Sequence, residues 1–93
     1  MAGSWTGRFR DALLARFEWE AQAGRSEVEI RCGDLHDRVS RDGNRHPVCS
    51  GVMWVETTGG NCEVLYKPPG GAGPGLVIRY GLPRRPSQFG QPE

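Results

Sequence analysis

EVLYKPPGGAGPGLVIRY, residues 63–80, contains two strands and the loop that joins them. Residues 63–67 and 75–80 carry the β-branched and aromatic side chains that are typical of strands. The loop between them, residues 68–74, consists only of Pro, Gly and Ala, and proline cannot donate to a sheet ladder. The stretch therefore predicts an antiparallel hairpin with a long Gly/Pro-rich tip.

An amphipathic helix is predicted near the start of the chain. Large apolar side chains recur there every four residues, namely Trp5, Phe9, Leu13 and Phe17. This spacing keeps them on one face of a helix, which we predict to cover residues 8–22. Gly24 is a suitable stop after the last turn. Residues 1–7 contain two glycines and show no periodicity, so they are predicted to form a flexible arm.

The middle of the chain supplies the remaining elements. Residues 27–32 alternate polar and apolar side chains, which indicates a half-buried strand. A short helix is predicted over residues 34–40, followed by a turn at 41–45, where an Asp-Gly pair favours chain reversal. A second helix is predicted over 47–57, because proline suits the first helical position. Its β-branched residues leave a strand over 52–57 as the alternative.

The predicted order is helix, strand, helix, helix, strand, strand. An α+β domain with this order is winged helix-turn-helix-like, with the second and third helices as the bihelical unit and the hairpin tip as the wing. We assign this domain to residues 8–82. Residues 83–93 are polar and rich in proline, and we predict a C-terminal tail there. A chain of 93 residues is long enough for one small domain.

The net charge and the absence of long apolar runs argue against several classes of function. The formal net charge is +1, because eleven arginines and one lysine oppose eleven acidic residues. Such a chain is not expected to coat nucleic acid without selectivity, although a local basic face for a defined site is compatible with it. No apolar run approaches the length that crosses a bilayer, and residues 1–6 lack the pattern of a secretory signal. We therefore expect a cytoplasmic protein with no membrane association.

The three cysteines argue against a disulfide framework, because their number is odd and no secretion signal accompanies them. Cys32, His36, His46 and Cys49 have the residue types that saturate a tetrahedral structural zinc. In the competing interpretation, Cys32 and Cys49 are buried free thiols, since each lies among apolar neighbours. We therefore predict no cofactor, with the zinc site as the less favoured alternative. The chain carries no decisive catalytic motif, and we do not predict an enzyme.

Duplex DNA is the predicted partner. In a helix-turn-helix, the start of the second helix meets base edges while basic side chains hold phosphates. The residues predicted to contact DNA are Arg41, Arg45, His46, Ser50, Lys67 and Arg79. The first four belong to the turn and the second helix, while the last two belong to the hairpin, with Arg84 beside it. The second helix contains few of the amide and basic residues that read bases.

A protein-interaction module on the same fold is the alternative function, as a homodimer or with another protein. Trp19, Trp54 and Phe89 are predicted to be exposed, and aromatic side chains are frequent anchors at interfaces. Trp19 supports this alternative because it lies off the apolar stripe of the first helix.

Four stretches of the chain resemble a family of small bacterial proteins with no assigned activity. These stretches are residues 29–36, 46–49, 64–73 and 78–84. The resemblance implies that the His-Pro-Val-Cys turn and the Pro-Pro-Gly hairpin belong to one domain. In its architecture the chain is also similar to winged helix-turn-helix proteins. The family resemblance supplies no function. The winged-helix-like architecture leads to the hypothesis of a bacterial DNA-binding domain, as a transcription regulator or an accessory module.

Overall fold

Three α-helices and a three-stranded antiparallel sheet make up the fold, as the α+β prediction expected. The computed structural model describes residues 4–41, 43 and 45–84. The helices are α1 (Trp5–Gln22), α2 (Cys32–Val39) and α3 (His46–Glu56), and the strands are β1 (Glu27–Arg31), β2 (Cys62–Tyr66) and β3 (Val77–Gly81). Short 3-10 turns occupy Thr57–Gly59 and Pro69–Gly71. The order helix, strand, helix, helix, strand, strand is therefore present.

The first helix begins earlier than predicted. Ser4 lies in an extended conformation, and its Oγ accepts a hydrogen bond of 2.9 Å from the amide of Gly7. Such a cap satisfies one of the unpaired amides at a helix start, so Trp5 to Gly7 belong to α1 and not to an arm. Residues 1–3 of the predicted arm, like 85–93 of the predicted tail, lie outside the described residues.

The alternative of a strand over 52–57 is wrong, since α3 continues to Glu56. Helical spacing places Cys49, Val52 and Met53 together on the buried side of α3, which outweighs the low helix propensity of the valines. Helix α2, which was predicted over residues 34–40, begins at Cys32, two residues before its predicted start.

Strand β3 occupies the centre of the sheet, in the order β1-β3-β2. Tyr80 of β3 lies opposite Val28 of β1, and Ile78 lies opposite Ile30. All four side chains point into the core. The opposite face is polar, and there Arg79 is paired with both Glu29 and Glu63. The register shifts by one residue at Leu65 in β2, which is an edge strand.

The core lies between the inner face of the sheet and the three helices. Its largest fully buried apolar side chains are Phe9, Leu13, Met53, Leu76, Ile78 and Tyr80. The predicted stripe of α1 is confirmed for Phe9, Leu13 and Phe17, while Trp5 is only partly buried. Tyr80 ties the sheet to α3, because its hydroxyl donates a 2.8 Å hydrogen bond to the carbonyl of Met53.

Arg84 anchors the end of the described chain and does not belong to a mobile wing. One terminal nitrogen donates to the carbonyls of Glu56 and Gly60, both at 2.9 Å, and the other donates to Asn61 at 3.0 Å. The guanidinium also lies over the ring of Tyr80, 5.0 Å from its centroid. The three carbonyls occupy the hydrogen-bond donors of Arg84 that a phosphate would need.

None of the helices described for this chain is both long and apolar enough to cross a bilayer.

Candidate nucleic-acid interface

A basic corner forms where α3 begins. Arg41 is exposed in the turn before α3, Arg45 precedes the helix directly, and His46 is its first residue. Among the described residues, Arg45 is the N-cap of α3 and its side chain does not cap the amides there, which are the positive end of the helix dipole. Three of the residues predicted to contact DNA are therefore brought together beside a helix start.

Trp5 organises this corner. The guanidinium carbons of Arg8 and Arg45 lie over its ring, 4.7 and 4.0 Å from the centroid. Stacking on an aromatic face holds an arginine in place. Sequence reasoning missed Arg8 and Trp5 as site residues, because their meeting with Arg45 depends on how α1 packs against α3.

A cleft of about 460 Å³ separates α3 from the Gly/Pro-rich loop. It is lined by Pro47, Ser50, Gly51, Trp54, Lys67, Gly70, Gly71 and Ala72. The indole nitrogen of Trp54 donates a 2.6 Å hydrogen bond to the carbonyl of Gly71, so the loop is tied to the helix. Lys67, another predicted site residue, is exposed at the base of the loop.

Ser50 is misplaced in the predicted set. Its side chain is 1% exposed, and its hydroxyl donates to the carbonyl of Pro47 at 3.1 Å. Although Ser50 precedes the exposed Gly51, the rotation of the helix turns it toward the interior. It therefore offers no donor to a base or a phosphate.

Arg79 is also unsuited to the role predicted for it. Its guanidinium is surrounded by three carboxylates, with Glu63 at 2.9 Å, Glu27 at 3.7 Å and Glu29 at 3.8 Å. On the outer face of the sheet, Glu27, Glu29 and Glu63 outnumber Arg31 and Arg79, which leaves a small negative excess that disfavours a phosphate. The chain is nearly neutral in total, yet its charge is divided between a basic corner and an acidic sheet face.

The thiols of Cys32 and Cys49 contact each other, but among the described residues they do not form one group of possible ligands with His36 and His46. Cys32 Sγ donates to the carbonyl of His46 at 3.8 Å, and Cys49 Sγ donates to the carbonyl of Cys32 at 3.6 Å. A hydrogen bond with Cys32, together with burial, raises the pKa of the Cys49 thiol, whereas a zinc ligand must be a thiolate. The structure groups a different set of possible ligands, namely His36, Asp37 and His46.

The structure describes two of the three aromatic residues that were predicted to be interface anchors. Trp19 is 68% exposed, as predicted. Trp54 is only partly exposed and its indole nitrogen is engaged by Gly71, so it serves the fold as well as the surface. Phe89 lies outside the described residues.

Comparison with protein-family models, with curated proteins and with solved structures gave no match to this chain. The function is therefore argued from the geometry of the site alone.

Proposed function

We propose that this chain is a winged-helix-like module that binds duplex DNA through its phosphates. The observation that carries the proposal is the bond from Trp54 to Gly71, which holds the loop between β2 and β3 beside α3. Helix and loop line one cleft, from Pro47, the residue that follows His46, to Lys67. The helix would enter the major groove while the loop follows the backbone.

The phosphate contacts are assigned to the basic side chains on this surface. Arg41 and Lys67 are exposed, and the pair of Arg8 and Arg45 is held in place by the ring of Trp5. The uncapped amides at the start of α3 add the positive end of a helix dipole. The acidic outer face of the sheet favours an orientation with this corner toward DNA.

Base reading contributes little to the proposed binding. The exposed residues of α3 are Pro47 and Gly51, and neither carries a side-chain donor or acceptor. A Cβ built on Gly51 meets nothing within 4 Å, so the helix surface is open at that point. We therefore expect weak discrimination between sequences and a strong dependence on salt.

The test is a fluorescence anisotropy titration with mixed-sequence duplex DNA at two salt concentrations. The wild-type chain should bind with a Kd of about 1–100 µM, the range of non-specific complexes, and binding should weaken with salt. The double variant R41A/K67A should bind about tenfold more weakly or worse. It should also show a salt slope shallower by about two, because two phosphate contacts are lost.

Arg25→Ala is the matched control for this titration. Arg25 is exposed and carries the same charge, but it follows α1 at the end opposite to Trp5. An α-helix of 18 residues is about 27 Å long, so Arg25 is remote from the basic corner. Equal losses in R25A and R41A/K67A, or no binding at low salt, would overturn the assigned surface.

A second candidate function is self-association through β2. Val64, Leu65 and Tyr66 on this edge strand are exposed, and a free strand edge is a template for pairing. An antiparallel pair of β2 strands centred on Leu65 would place Glu63 opposite Lys67 of the second copy. In such a dimer each glutamate faces a lysine of the second copy, so the two β2 strands are complementary in charge.

Sedimentation equilibrium of the full chain tests this second candidate. A dimer is expected that Leu65→Lys converts to a monomer, because the substitution puts two like charges at the symmetry axis. Trp19→Lys, at an exposed site on α1, should leave the dimer intact. A wild-type monomer at about 100 µM, far above the Kd of a standard stable interface, would remove this candidate.

A further inference from the structure

We infer that His36, Asp37 and His46 form a binding site for a divalent transition-metal ion. One ring nitrogen of each histidine and a carboxylate oxygen of Asp37 lie within 4.8 Å of one another. His36 Nδ1 is 3.1 Å from Asp37 Oδ1, and the two imidazole rings are 4.0 Å apart between centroids. Two ligands bound at about 2.0–2.2 Å to one ion lie at most about 4.4 Å apart, so the three side chains would move slightly inward around the ion.

The protonation state of His46 suits a metal ligand. Its Nδ1 is 3.1 Å from the carbonyl oxygen of Gly43, which can only accept a hydrogen bond. Nδ1 therefore carries the proton, and the lone pair of the neutral ring is on Nε2. A hydrogen bond from the second nitrogen to a backbone carbonyl is the common outer-shell arrangement of ligating histidines, because it fixes the tautomer and orients the ring.

His36 supplies the second, independent observation. Its side chain is 1% exposed, and its ring is packed between His46 and Phe9, whose centroid is 5.6 Å away. His36 Nε2 is buried and has no hydrogen-bond partner. The other nitrogen, Nδ1, faces Asp37, so Nδ1 is the atom that would bind an ion shared with this carboxylate.

The cluster has one closed side and one open side. Asp37 is 78% exposed, so an ion can approach from its carboxylate and then reach the buried ring of His36. The three ligands come from α2 and from the first residue of α3. An ion bound to them would link the two helices, and ligand binding to the native state alone raises its stability.

The donor set selects the class of ion. Two imidazole nitrogens and one carboxylate oxygen suit Zn²⁺, Co²⁺, Ni²⁺ or Cu²⁺, whereas Mg²⁺ and Ca²⁺ prefer sites made of oxygen. The thiols of Cys32 and Cys49 are directed at backbone carbonyls, so they are not part of this set. With three protein ligands, at least one position remains for water.

A titration of the full chain with Co²⁺, followed by absorption and by thermal unfolding, tests the site. Visible d–d bands should appear at one equivalent, without the near-ultraviolet charge-transfer band of a cobalt–thiolate bond. The Tm should rise by about 10 °C or more at an ion concentration 100-fold above Kd. His46→Ala should lower the affinity at least tenfold, and Asp37→Asn should lower it by a similar factor.

Asp34→Asn is the control, because Asp34 is an exposed carboxylate of the same helix that pairs with Arg31 and lies outside the cluster. It should bind Co²⁺ like the wild type. A thiolate charge-transfer band would overturn the inference in favour of the cysteine-containing set. Equal losses in D34N and D37N would mean binding to surface carboxylates only, and a Tm unchanged by millimolar Co²⁺ would remove the site.

Discussion

Replacing Arg84 with alanine is expected to lower the free energy of unfolding by about 2–4 kcal/mol, because hydrogen bonds from a charged donor contribute about 1.5–3 kcal/mol each before screening by solvent. Its guanidinium donates to the carbonyls of Glu56, Gly60 and Asn61, at distances of 2.9–3.0 Å. It thereby joins the end of α3 to the start of β2. The stacking of Arg84 over Tyr80 adds to this loss.

Urea unfolding of three variants separates this role from a general effect of charge. Arg84→Lys keeps the charge, but one ammonium group cannot reproduce the planar fork of a guanidinium, so it should recover less than half of the lost stability. Arg25→Ala removes an exposed arginine that shares Glu20 with Arg16, and it should change stability by less than about 1 kcal/mol. An R84A variant as stable as R25A would show that the carbonyls are equally well served by water.

The order of the elements could be predicted because it depends on local patterns. The four-residue spacing from Phe9 to Phe17, the alternation in residues 27–32 and the Gly/Pro loop are each visible within one short window. The central position of β3 requires pairing between residues far apart, such as Val28 with Tyr80. The start of α1 at Trp5 was missed because a single serine cap decided it.

The candidate site was predicted less well, because it depends on the partner of each charged group. Arg79 and Lys67 have the same charge and lie on the same hairpin, yet Arg79 is held by glutamates of two other strands. Arg84 reaches Glu56, 28 residues away, and Arg45 reaches Trp5. No local pattern encodes these long-range pairs.

The metal-ligand set could be predicted only in part, because the sequence does not give the direction of each side chain. Spacing places Cys32, His36, His46 and Cys49 near one another, and the structure keeps them near. The two thiols nevertheless donate to backbone carbonyls, while the two imidazoles stack. Asp37 entered the cluster only through its contact with His36 Nδ1, which a neighbouring position in a helix does not predict.

Tyr80→Phe is expected to lower the stability of the chain near neutral pH and to raise it at strongly alkaline pH. At pH 8 the variant should be less stable by about 1–2 kcal/mol, since the buried carbonyl of Met53 loses the hydroxyl that donates to it. Burial is the main cause that raises the pKa of Tyr80 above its usual value, which is about 10. The wild-type chain therefore depends on a neutral phenol.

The sign of the pH dependence follows from this raised pKa. The stability that Tyr80 contributes is complete below about pH 10, the pKa of a tyrosine in the unfolded chain. It is lost as the pH rises toward the folded pKa, by about 1.4 kcal/mol per pH unit, because only the unfolded chain releases the proton readily. Phenylalanine has no proton to release, so the two curves of stability against pH should cross near pH 11.

Urea unfolding of the wild type and of Y80F at half-unit steps from pH 8 to 11.5 measures the crossing. Taking the difference between the two chains cancels the groups that do not interact with Tyr80. Tyr66→Phe is the control for the loss of a hydroxyl, because this phenol is largely exposed on β2, and at pH 8 it should change stability by less than about 0.5 kcal/mol. Parallel curves for Y80F would mean that the Tyr80 phenolate reaches solvent in the native state, and the sheet would then be less firmly seated on α3 than the bond to Met53 implies.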